Sequence, residues 1–136
     1  MRRLPLALFL AAIVACGSGS TDNNKPPSPY DLTVISQPGS GGGANPYLVV
    51  LTLEVTLKSD GSIQPGITII TQVTVGDVAP LPMVTGVNGR ATVTWTILPA
   101  DQSPGATETL AYCVPNPGSA FCDTKLNGPD AISVTF

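Results

Sequence analysis

The chain of 136 residues is predicted to be all-β, two antiparallel sheets packed as a sandwich, on three observations. Apolar residues recur at every second position in several stretches, the period of half-buried strands. Clusters of Gly, Pro and Asn separate those stretches at short intervals, as turns do. Only 11% of residues are charged, while Gly and Pro contribute 14 each, a balance suited to short strands rather than helices. Several short strands at such spacing suit a sandwich, and the same period excludes a helical bundle. A closed barrel is the remaining competitor. At this length one domain is expected.

The elements follow in order. Residues 31–35 (DLTVI) form a candidate first strand, and the glycine-rich run 39–43 is expected to be a loop, because residues without Cβ weaken a strand. Residues 49–58 place Val49, Leu51, Leu53, Val55 and Leu57 on one face and Val50, Thr52, Glu54, Thr56 and Lys58 on the other. Turns at residues 59–62 and at Pro65-Gly66 lead to a strand over 67–75, with Ile67, Ile69, Thr71, Val73 and Val75 in register. The alternation fails over 76–82, where two prolines cannot donate to a ladder. A short edge strand is expected at 83–85. Asn88-Gly89 is a hairpin signal, opening a strand in which Ala91, Val93, Trp95 and Ile97 face inward. After a loop over 99–105, residues 107–114 put Leu110, Tyr112 and Val114 on one face, and 132–136 close the fold with Ile132, Val134 and Phe136. That makes about seven strands. Trp95, between Val93 and Ile97, reads as a core residue; a sugar-stacking role would need further aromatics on its surface.

The amino terminus carries a different message. Residues 1–16 read MRRLPLALFLAAIVAC: two arginines, an apolar run and a small residue before a cysteine. The run is shorter than the roughly 20 residues a spanning helix needs, has no polar face for a buried helix, and has the layout of a cleaved leader. Ala15 would also satisfy an ordinary secretory cleavage site. The tetrad Ile13-Val14-Ala15-Cys16 resembles the lipobox of bacterial lipoprotein signal peptides, which implies that Cys16 is acylated and becomes the first mature residue. Acyl chains bury about 0.8 kcal/mol per CH₂, and two or more anchor a soluble body stably. Residue 17 is Gly; an Asp there often retains lipoproteins in the inner membrane of Gram-negative cells, so the resemblance implies the outer membrane in such a cell.

Residues 1–15 are thus expected to be a signal peptide and 16–29 a lipidated cysteine with its tether, GSGSTDNNKPPSP, flexible in its Gly/Ser half and more extended in its Pro half. Residues 30–136 form the domain. Removing Arg2 and Arg3 with the leader takes the formal charge from -3 to -5. No basic patch exists to neutralise phosphates, which argues against nucleic acid as a partner. The other two cysteines, Cys113 and Cys122, close a Pro/Gly-rich loop and are most simply a disulfide in an oxidising compartment. A metal site would need more ligands than Asp123 adds, and a redox pair would favour C-x-x-C spacing.

Residues 48–98 resemble the bacterial immunoglobulin-like domains of invasins and intimins, the Big-1 type. The family pairs LTxxVTxxxG with xxPGxxVxxxV and TxxxGxAxVxW; here these fall on Leu51 to Gly61, Pro65 to Val75 and Thr85 to Trp95. The resemblance extends over about 85 residues from Val49 and implies an immunoglobulin-like sandwich of about seven strands without catalytic residues. Invasins carry these domains in tandem, whereas this chain holds one, and the cysteine loop is not general in the family.

The chain has no His, which removes the commonest general base and the usual hydrolytic triad. Its aspartates fall mainly in turns, where backbone hydrogen bonding explains them, and no D-x-D-x-D-G calcium loop is present. Neither an enzyme nor a cofactor is expected. The expected partners are membrane lipid, through Cys16, and an envelope or surface protein. The loop pinned by the cysteines is the first place to look for contact, with Pro115, Asn116, Pro117 and Phe121 as candidate binding residues, since pinning reduces the entropy lost on binding. A glycan or small ligand held by the end loops is the alternative.

Overall fold

The computed structural model describes residues 28–115 and 130–136. Among the described residues, nine strands form two antiparallel sheets: β1 (Tyr30–Ser36), β2 (Gly39–Gly42), β3 (Asn45–Leu57), β4 (Thr68–Val73), β5 (Asp77–Ala79), β6 (Met83–Val84), β7 (Arg90–Ile97), β8 (Thr107–Cys113) and β9 (Asp130–Thr135). A single 3₁₀ turn, Pro99–Asp101, interrupts the β7–β8 connection. One sheet has the order β1-β3-β7-β5, with β2 also on β3; the other has the order β6-β4-β8-β9. Apart from β2 and β6, this is the arrangement of a constant-type immunoglobulin sandwich, four strands against three.

The inward residues are those the alternation selects. Val49, Leu51 and Leu53 of β3 pair with Trp95, Val93 and Ala91 of β7, Ile97 lies opposite Tyr47, and these residues of β7 are buried with Val49, Leu51, Leu53 and Val55 of β3. Ile69, Leu110, Tyr112 and Ile132 supply the facing sheet. Trp95 sits at the centre, 0% exposed, and its indole N–H donates to the Val75 carbonyl at 2.8 Å. It is a core residue. Outward positions pair by short polar groups, as with Thr52 and Thr92 at 2.9 Å and Arg90 with Glu54 at 2.7 Å.

Two strands depart from the expected seven. The glycine run is not a loop: β2 pairs with β3 from Gly39↔Val49 to Gly42↔Asn45. It continues the edge begun by β1 after a break at Gln37-Pro38, and Val50 N–H still donates to the Pro38 carbonyl at 3.0 Å across that break. Glycine is needed at Gly41, where φ is +102° and a Cβ would collide with the Pro46 carbonyl, while a Cβ on Gly39 would have to push the hydroxyl end of Tyr47 aside. The second departure is β5, in the region where alternation fails. Asp77–Ala79 pairs with β7, after which the chain passes Pro80 and Pro82 and joins β4 in the opposite sheet as β6. Prolines at the crossing need no ladder partner.

Candidate interaction site

The register defines two poles. At one, β1 begins (Tyr30↔Leu57), β3 ends, β7 begins (Glu54↔Arg90), and β8 ends as β9 begins (Tyr112↔Asp130). The opposite pole holds the turn after Gly42, the β7–β8 connection and Phe136. There Tyr47 and Phe136 meet edge to face, 5.5 Å between centroids, and Gln102 Nε2 donates to the Asn45 and Ile97 carbonyls.

A groove of about 190 Å³ lies at the first pole between the sheets, lined among others by Tyr30, Asp31, Lys58, Tyr112, Cys113 and Asp130. The incoming chain seals one side of it. Ser28 is buried, its Oγ accepts from the Tyr30 amide at 3.3 Å, and the Pro29 carbonyl accepts from the Lys58 amide at 2.8 Å. Burial pushes the Tyr112 phenol above its ordinary pKa, and the Asp130 carboxylate adds to the effect. Tyr112 therefore stays a neutral hydroxyl in the groove at physiological pH. Asp31 and Lys58 stand 3.8 Å apart and exposed, a pair of little energetic weight. Asp60 in the adjacent turn has a lowered pKa because the Ser62 amide donates to its Oδ1 at 2.9 Å. This turn aspartate serves the backbone, as turn aspartates do. A second groove, about 280 Å³, opens nearer the other pole between Gly39, Tyr47 and residues 132–135.

Of the candidate residues from the sequence, Cys113 is 2% exposed and disulfide-bonded, and Pro115 is half-buried at the end of the described segment. Cys16, Asn116, Pro117, Phe121 and Cys122 lie outside the described residues. Sequence reading did not single out Ser28, nor the pairing of Tyr30 with Tyr112 around one groove, because that pairing spans two sheets. It also missed Thr85, 4% exposed, whose hydroxyl donates to the Gln64 carbonyl at 2.7 Å and accepts from the Ile67 amide at 2.9 Å. Among the described residues no group of three or more potential metal ligands is gathered, and no helix is long and apolar enough to cross a membrane. No protein-family model matches the chain, and no curated protein or solved structure matches it.

Proposed function

We propose that the chain is a membrane-anchored extracytoplasmic lipoprotein whose immunoglobulin-like domain is a non-catalytic structural or protein-interaction module. The observation that carries the reading is the order in residues 1–17: arginines, apolar run, Ile13-Val14-Ala15-Cys16, then Gly17. The resemblance to Big-1 domains supports an adhesive or scaffolding role for the body, and Gly17 supports the outer membrane where the cell has one. A disulfide joining Cys113 to Cys122 fits the oxidising space that such an anchor implies. Both grooves are smaller than the roughly 300–1,000 Å³ of usual ligand pockets, which favours a protein partner over a small ligand. The experiment is an intact-mass measurement of the protein from its native membrane, together with fractionation of Cys16→Ser. A diacylglycerol-modified amino terminus at Cys16, lost with release into the soluble fraction in the variant, is expected. An unmodified mature chain would refute the anchor.

One observation favours the second reading, recognition of a glycan. The half-buried Tyr30 borders a groove with Asp31 and Asp130, an apolar-and-acceptor set of the kind sugars use. Saturation-transfer NMR with envelope oligosaccharides tests it, with tyrosine-dependent transfer as the expected signal.

A further inference from the structure

We infer that the domain has a fixed polarity on the membrane. The pole holding Tyr30, Lys58 and the end of β8 faces the lipid, and the pole holding the turn after Gly42 and the 3₁₀ turn Pro99–Asp101 faces away. This rests on the anchor proposed above and goes beyond it by naming which surface each partner can reach. The residues that flank the cysteine loop, Pro115 after the end of β8 and Asp130 at the start of β9, both belong to the lipid-facing pole. Partners arriving from the aqueous side meet the opposite pole first.

Two observations carry this. The first is how the chain enters the body. It does not hang from the tip of β1: Ser28 is buried and Pro29 is bonded to the Lys58 amide, so the entry point is pinned to one pole. The second is length. The 13 residues of β3, twelve steps, make the body about 38–41 Å long, and the sequence from Cys16 to Ser28, also twelve steps, reaches only about 40–43 Å at full extension. Inverting the domain would therefore require a tether stretched to its limit. As a coil the same segment spans roughly 17–21 Å, which leaves the entry pole near the bilayer.

The test uses the lipidated full chain in vesicles containing a headgroup-labelled acceptor lipid. Donor fluorophores are attached to Ser59→Cys at the entry pole and to Ala44→Cys at the other, both exposed positions. Ser103→Cys serves as a second distal site should Ala44→Cys misfold. Severalfold higher energy transfer from Ser59 than from either distal site is expected. Equal transfer, or higher transfer from the distal sites, in protein that co-floats with the vesicles would overturn the polarity while leaving the anchor intact. Failure of the native chain to co-float, with no acyl mass on Cys16, would overturn both.

Discussion

Gly76 is where β4 hands over to β5, and replacing it by Ala should destabilise the domain far more than the same change at Gly43. Both glycines have left-handed backbones, φ +77° and +68°, so each Ala variant bears about 1–2 kcal/mol of conformational strain. Their surroundings differ. A Cβ at Gly43 meets nothing within 4 Å, whereas at Gly76 it overlaps the Thr96 carbonyl oxygen and comes within 3.1 Å of the carbonyl carbon. Relief requires β5 to move off β7, where Asp77 pairs with Thr96 and Val78 with Trp95. The Val75 carbonyl, one residue away, would move with it and release the Trp95 indole N–H, a buried donor whose loss costs about 1–3 kcal/mol. The expected totals are about 1–2 kcal/mol for Gly43→Ala and about 2–5 kcal/mol for Gly76→Ala. Urea titration followed by fluorescence of the single tryptophan reads both, with midpoints separated by on the order of 1–2 M. Only Gly76→Ala should red-shift the native emission. Equal midpoints and unshifted emission would refute the reasoning that this contact holds β5 and Trp95 in place.

Three further outcomes are expected. Thr85→Val, nearly isosteric, should cost about 1–3 kcal/mol in chemical denaturation, because it strips the Ile67 amide and the Gln64 carbonyl of their shared hydroxyl; a neutral result would show water filling the role. Reduction should lower stability by roughly 2–3 kcal/mol if Cys113 is joined to Cys122, checked by paired melts with and without reductant and by peptide mapping of the bridge. The raised pKa of Tyr112 makes the unfolded chain release its proton first, so stability should fall as pH rises above about 10. Tyr112→Phe should flatten that fall in a pH series of urea titrations, and an unchanged slope would contradict the assignment to Tyr112.

Local chemistry determined the strands that bury a face. Val49 to Val55 and Ala91 to Ile97 alternate so strictly that a one-residue slip would expose the whole core, and their inward sides were legible without coordinates. So was the sandwich itself. Two strands were not. In β2, a glycine that opposes a strand on propensity becomes necessary at Gly41 once the Pro46 carbonyl presses against it, a contact set by pairing with β3. In β5, three residues without useful alternation are held only because β7 offers an unpaired edge. The address proposed from Ile13-Val14-Ala15-Cys16 likewise rests on the sequence, since a short linear segment would carry it. The groove between Tyr30 and Tyr112, the burial of Ser28 and the pole at which the chain enters the body belong to the tertiary structure alone. They join β1 to β8 and β9 across two sheets, and no local pattern encodes which strand ends meet.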